Sequence, residues 1–164
     1  MKIGVISDTH MSKHTNKIEK LMDKCFKDVD LIIHLGDFTS PKVLAKIRKN
    51  KKIIGVWGNN DGSMLRKELK EKEIVTLNGY KIGLFHGHGT EKNTLERVYN
   101  IFKDDNVDII LFGHSHQPII KTKNKTLIIN PGSPSKKIRE RWFSYVVLTL
   151  KKDKIETKIC FYNK

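Results

Sequence analysis

The sequence predicts an α/β protein built from two mixed β-sheets stacked face to face, with helices covering the outside. Three observations carry this expectation. Strand and helix signals alternate through the first two thirds of the chain, which implies parallel strands joined by crossover helices. The strands there are near-continuous apolar runs, as expected of a sheet covered on both faces. From Pro118 onward the pattern changes to hairpins, which suit antiparallel strands at the sheet margins.

The elements follow in order. Lys2 to Ser7 is an apolar run of strand length. Lys17 to Lys27 places Ile18, Leu21, Met22, Cys25 and Phe26 at helical spacing, so one stripe faces the core. Leu31 to Leu35 is a second apolar strand. Pro41 opens a helix, because its missing N–H and preset φ suit a first turn, and Val43 to Lys49 continues it. Ile53 to Trp57 is a third buried strand, followed by a short helix around Met64 to Lys70. "EIVTL" and "KIGLFH" form a hairpin across Asn78-Gly79, residues that tolerate the positive φ of a two-residue turn. A helix at Leu95 to Phe102 precedes the strand Val107 to Phe112. "IIKTK" turns at Asn124-Lys125 into "TLIIN", and "FSYVVLTL" turns near Asp153 into "KIETKICFY".

With 164 residues and no repeat, linker or low-complexity segment, the chain reads as one domain spanning 1–164. No apolar run approaches the roughly 20 residues that span a bilayer. "MKIGVISDTH" reads as a strand and a polar loop, not a signal peptide, so a cytoplasmic protein with no membrane partner is expected. Cys25 and Cys160 belong to no CxxC pair and are read as reduced and structural. The formal charge of +14 would attract phosphate. The basic residues are nearly all lysine, however, with arginine only at 48, 66, 97, 139 and 141. Sequence-reading surfaces lean on arginine and interleaved aromatics. A Lys-rich solvated surface that favours small anions is therefore expected, and a nucleic-acid partner is not favoured.

The chemistry sits at the strand ends. The first strand ends in Asp8-Thr9-His10, the second in Gly36-Asp37 and the third in Gly58-Asn59-Asn60-Asp61. The hairpin strand ends in His86-Gly87-His88, and the strand from Val107 in Gly113-His114-Ser115-His116. Each feature alone has an ordinary structural reading as a turn or cap. Five strands breaking into glycine and ligand chemistry at one edge do not, because the carboxyl edge is where open α/β sheets bind ligands. Residues i and i+2 of an extended chain share a side, so His114 and His116 can face one point.

Asp and Asn oxygens mixed with imidazoles, with no thiolate, suit manganese, iron, zinc or nickel. Asp8, His10, Asp37, Asn59, His86, His114 and His116 are too many ligands for one tetrahedral ion. Two ions sharing a carboxylate would use them. Such pairs activate a bridging water as hydroxide and neutralise phosphoryl oxygens during in-line displacement.

The ordered set Asp8-x-His10, Gly36-Asp37, Gly58-Asn59, His86-Gly87-His88 and Gly113-His114-x-His116 resembles the calcineurin-like metallophosphoesterase superfamily. The small size, the "HGH" at 86 to 88 and the "NPGS" at Asn130 to Ser133 are similar to its compact YfcE-type phosphodiesterase branch, a relative of the retromer phosphoesterase-fold subunit. The resemblance spans nearly the whole chain. It implies a four-layer α-β-β-α sandwich. It also implies that Asp8, His10 and His116 hold one divalent ion, that Asn59, His86 and His114 hold a second, and that Asp37 bridges them. Manganese is the first expectation for both ions, ahead of nickel, iron or zinc.

The implied activity is hydrolysis of a small phosphodiester by a metal-bridging hydroxide; homo-oligomerisation is left open. The alternatives are a protein-interaction scaffold on the same fold, or a nuclease or nucleic-acid-binding protein. Many superfamily members carry Gly-Asn-His where this chain has Gly58-Asn59-Asn60. Asn60 can donate a hydrogen bond to a phosphoryl oxygen but supplies no proton at neutral pH. His88 is a candidate to orient substrate or act as donor, with an equal case for a supporting hydrogen bond. Asp61 is expected to fix its loop or a neighbouring imidazole, and His34 to be a core histidine. The resemblance favours a rim loop at Pro131-Gly132-Ser133, with a backbone N–H or the Ser133 hydroxyl toward phosphate. Arg139 and Arg141 fall close to that rim and are expected to be solvent-exposed.

Overall fold

The computed structural model describes residues 1–163. Its first half runs β1 (Lys2–Ile6), α1 (Asn16–Cys25), β2 (Leu31–His34), α2 (Pro41–Asn50), β3 (Lys52–Gly55), α3 (Ser63–Glu68) and the hairpin β4 (Lys72–Leu77) to β5 (Tyr80–Phe85). The second half runs α4 (Thr94–Phe102), β6 (Ile109–Leu111), β7 (Ile119–Lys123), β8 (Thr126–Asn130), β9 (Phe143–Leu150) and β10 (Ile155–Tyr162).

Two five-stranded mixed sheets result, ordered β10-β9-β1-β2-β3 and β4-β5-β6-β8-β7. In the first, β1, β2 and β3 are parallel, with Ile3 opposite Leu31 and Ile32 opposite Ile53. In the second, β5, β6 and β8 are parallel, with Ile82 opposite Ile109 and Ile109 opposite Leu127. The predicted hairpin at Asn78-Gly79 is present, with φ of 50° and 88° at its two turn residues. The sequence did not indicate where the last hairpin goes. It returns to the first sheet, and β9 pairs antiparallel with β1, Ile3 lying opposite Leu148.

Alternation along the strands divides the apolar residues among three cores. Ile3, Val5 and Ile33 of one sheet meet Ile82, Leu84 and Ile109 of the other in the central layer. Gly4 and Ile32, pointing outward, face α1 and α2 through Phe26, Ile18 and Leu44. On the far side Val98 and Phe102 of α4 cover Ile110 and Ile128. The layers are therefore α-β-β-α. A central residue such as Ile33, fully buried, holds this stack, and Ile33→Ala would cost about 2–5 kcal/mol.

The differences from expectation lie at element ends. The first helix stops at Cys25, where Phe26 caps it by donating its N–H to the Met22 carbonyl. The strand expected from Val107 to Phe112 is regular only over Ile109–Leu111. Its flanks still bond to neighbours, Asp108 N–H to the Lys81 carbonyl and Phe112 N–H to the Ile129 carbonyl. Because β1, β2, β3, β5 and β6 are all parallel within their sheets, their carboxyl ends deliver the five motif loops to one rim where the sheets meet.

Candidate metal centre

The loops are laced together by backbone. Asp8 N–H donates to the Gly36 carbonyl and His10 N–H to the Asp37 carbonyl, both at 3.0 Å. Glycine is required where they crowd. A Cβ on Gly36, whose φ is 91°, would lie 2.7 Å from both Gly58 N and His86 Nδ1, and one on Gly113 would lie 1.8 Å from Ser7 Oγ. Five of the seven expected ligands are themselves left-handed: Asp8, His10, Asp37, His114 and His116 have φ between 43° and 68°. Each such conformation costs roughly 1–3 kcal/mol and persists only where the surroundings impose it, which is typical of functional sites.

Two groups of ligand atoms form. In the first, Asp8 Oδ1 lies 3.4 Å from His116 Nε2 and 3.9 Å from His10 Nε2, and the two imidazole nitrogens are 3.3 Å apart. His116 donates Nδ1–H to the Lys136 carbonyl at 3.2 Å, which leaves its Nε2 lone pair facing Asp8. The second group joins Asp8, Asp37 and His86. His86 donates Nδ1–H to the Leu35 carbonyl at 2.6 Å, which turns its Nε2 toward Asp37 Oδ2, 3.5 Å away. His114 packs edge-on against His86 with ring centroids 5.2 Å apart, and its Nδ1 meets Asn59 Oδ1 at 3.1 Å. Asp8, His10, Asp37, His86 and His116 thus fall into two groups that share Asp8, while Asn59 and His114 meet each other beside His86.

The donor set fits cations. Among the described residues, Asp8 Oδ1 and His86 Nε2 are buried polar atoms with no hydrogen-bond partner, and both face the cluster. Orphaned buried groups of this kind are expensive. Carboxylate and imidazole ligand atoms a few ångströms apart repel one another unless a positive charge sits among them, and the pKa of His86, raised against burial by Asp37 and Asp8, expresses that demand. Hard oxygen with imidazole nitrogen is the ligand chemistry of divalent first-row metals.

The electrostatics express the same crowding. Burial pushes the Asp8 carboxyl above its ordinary pKa, against the pull of His86 and His116. Burial also opposes ionisation of Asp37, but the His86 imidazole and the Asn60 donors outweigh it and hold that carboxyl below the usual range. Burial lowers His10 and His114 to about 4, so both are neutral, ligand-competent imidazoles at pH 7.

The remaining predicted residues occupy supporting positions. Asp61 fixes its loop: its carboxylate accepts from the N–H groups of Gly58, Asp37 and Thr39 at 2.8–2.9 Å. Asn60 donates to both oxygens of Asp37. His88 stands beside His86, packed between Trp57 and Phe85, with Nε2 3.0 Å from Glu71. His34 is a core histidine, fully buried, stacked on Phe38 and 3.0 Å from Thr9 Oγ1. Ser133 differs from the phosphate-facing expectation. Its hydroxyl is buried and committed, donating to the Asp8 carbonyl at 2.8 Å and accepting from Lys136 N–H at 3.0 Å. Arg139 and Arg141 are exposed, as expected.

Sequence reasoning missed two clamps. Arg66 donates to the carbonyls of Asn59 and Asp61, holding the loop that carries Asn59, while its guanidinium lies over Trp57. Asn130 donates to the Gly113 carbonyl and Ser115 Oγ, tying β8 to the His114-x-His116 loop. Asn130 was visible in the sequence as the first residue of the NPGS stretch, but nothing local indicated which loop its amide holds.

On this fold, a rim of buried carboxylates and imidazoles defines a metal-dependent phosphoesterase, a hydrolase of phosphate esters. The chain belongs to the calcineurin-like phosphoesterase superfamily, whose domain model matches residues 1–153. A phosphodiesterase of Methanocaldococcus jannaschii is 34% identical over 146 residues, covering 80% of this chain and 83% of that protein. A predicted phosphoesterase of Streptococcus pneumoniae has a similar crystal structure, with a TM-score of 0.79 at 25% identity over 98% of this chain and 88% of that one. The zinc complex of Vps29 from Entamoeba histolytica shares the fold with a TM-score of 0.75 at 20% identity, over 99% of this chain and all of the other. Among the described residues no helix is long and apolar enough to cross a membrane.

Proposed function

We propose that the chain is a phosphodiesterase working with two divalent ions. Asp8, His10 and His116 hold one, Asn59, His86 and His114 hold the other, and Asp37 is shared; manganese is the first candidate for both. The observation that carries this reading is the position of Asp37 Oδ2, 3.6 Å from His10 Nε2 and 3.5 Å from His86 Nε2, between the two groups. When bound, such ions polarise phosphoryl oxygens and lower the pKa of water toward neutrality.

The chain's own residues do the rest. The backbone carbonyls of Leu35 and Lys136 set the tautomers of His86 and His116, so each presents Nε2. Asn60 and Asp61 orient Asp37 and its loop. Asn60 can redirect its amide to a phosphoryl oxygen but delivers no proton, and His88 keeps Nε2 on Glu71. Cleavage without a dedicated acid favours esters with a stable leaving group. The phosphodiesterase among the relatives supports diesters over monoesters. A reducing, cytoplasmic setting belongs to this reading, supported by the free thiols of Cys25 and Cys160.

The test is an activity screen of manganese-reconstituted protein over aryl phosphodiesters and monoesters, with Asp37→Asn as control. Diester hydrolysis that the control lacks is the expected result. A chain that binds metal yet hydrolyses no ester would favour a scaffold, and one that cuts nucleic acid in preference to small diesters would favour a nuclease.

A further inference from the structure

The rim is asymmetric. On the Asn59 side it is occupied by the packed group of Trp57, Arg66 and His88. On the His10 side it opens into a cavity of about 260 Å³, whose lining includes Thr9, His10, Lys13, His14, Lys17 and Lys136 and no acidic residue. That volume lies just below the range of about 300–1,000 Å³ that encloses whole drug-sized ligands, and suits one arm of a substrate. Among the described residues, the lysines of this cavity have no carboxylate to neutralise them. Lys46, Lys70, Lys72, Lys151 and Lys154 each meet a carboxylate, whereas the ammonium groups of Lys13, Lys17 and Lys136 are in no ion pair among the described residues.

A diester has two arms. With its phosphorus at the metal centre, an arm extending past His10 enters this cavity, where unpaired ammonium groups await a negative charge a few bonds from the reacting phosphorus. Lysine binds phosphate as a point charge with three donors and tolerates varied geometry. We propose that this cavity is the subsite for the non-leaving arm and selects phosphodiesters whose arm ends in a second phosphate. This inference rests on the phosphodiesterase reading above and deepens it by naming the substrate class.

A matched pair of substrates tests it: 4-nitrophenyl 2-hydroxyethyl phosphate and its counterpart phosphorylated on the hydroxyl. The leaving group is the same in both. Wild type is expected to show kcat/KM about tenfold higher for the phosphorylated arm at low salt, as a few exposed charge pairs supply. The preference should shrink as salt is raised. Lys13→Gln/Lys17→Gln should lose most of it while leaving the hydroxyethyl substrate within about twofold. A ratio near one in wild type, or an equal loss on both substrates in the double variant, overturns the subsite. If neither diester is hydrolysed, it is the phosphodiesterase reading that fails. The subsite is then decided by titrating chelator-treated protein with pyrophosphate and following amide NMR shifts. Shifts at residues 11–17 that disappear in the double variant sustain an anion site, and their absence removes it.

Discussion

Asn60 holds Asp37 at both carboxylate oxygens, donating its backbone N–H to Oδ1 at 2.8 Å and its side-chain amide to Oδ2 at 2.7 Å. Asp37, whose Oδ2 lies 3.6 Å from His10 Nε2 and 3.5 Å from His86 Nε2, is therefore oriented by a residue that cannot act as an acid.

The leaving-group dependence follows from that residue. Without a proton donor at position 60, the departing oxygen leaves unassisted or with help from solvent, so its own pKa controls the rate. Aryl phosphodiesters are expected to be cleaved readily and alkyl ones slowly, with the rate falling steeply as leaving-group pKa rises. Asn60→His should flatten the slope. A series of substituted aryl diesters measured on both proteins checks this. Flat slopes in both, with chemistry rate-limiting, would point to another acid, and His88 would be the first residue to replace.

Metal binding should stabilise the fold. Manganese at 100 times its Kd adds about 2.7 kcal/mol, or roughly 5–10 °C in Tm for a domain of this size. His86→Ala and His116→Ala should each lose most of this increment and most turnover. Both should keep wild-type circular dichroism, because the ligands sit on the rim and the three apolar cores are untouched. Calorimetry with and without chelator reads the effect. An unchanged manganese increment in either variant would remove that histidine from the ligand set.

Asp61 tests the loop architecture. Its carboxylate accepts from Gly58, Asp37 and Thr39, and it is 3% exposed. Asp61→Ala leaves these N–H groups short of partners at a cost of about 1–3 kcal/mol or more. It should also weaken metal binding about 10–100-fold, since Asp37 loses its backbone anchor. Asp61→Asn keeps one acceptor and should fall between. Urea unfolding and metal titration report the two effects separately.

His34 makes the metal-free chain acid-sensitive. Burial holds its pKa well below 6.5, assisted by the charge of His86 and opposed by Asp37. The unfolded chain therefore takes up a proton near pH 6.5 that the folded chain refuses, and stability falls as pH drops below that value. At full difference the slope is about 1.4 kcal/mol per pH unit. His10 and His114, lowered to about 4, add to the decline down to that pH, while His86, raised against burial by its carboxylates, adds stability as pH falls toward about 6.5 and no slope below it. Denaturant unfolding between pH 7 and 5 in chelator should show a shallower slope for His34→Gln than for wild type. Parallel slopes would mean that His34 titrates alike in both states.

Periodicity and residue chemistry are local properties. They were enough for the helices and strands, the Asn78-Gly79 hairpin, the parallel β1-β2-β3 pairing of the first sheet and the choice of rim residues to consider, because each is written within a few neighbouring residues. The arrangement of the ligands depends on approach between distant segments. His10 meets His116 across 106 positions, and Ser133 meets the Asp8 carbonyl across 125. Tertiary packing decided that β9 returns to pair with β1, that Ser133 is spent on the Asp8 loop, and that His88 turns its Nε2 to Glu71. Backbone strain at Asp8, His10, Asp37, His114 and His116 belongs there too. No residue's own propensity favours those left-handed conformations; only the surrounding loops, fixed by hydrogen bonds from other strands, can hold them.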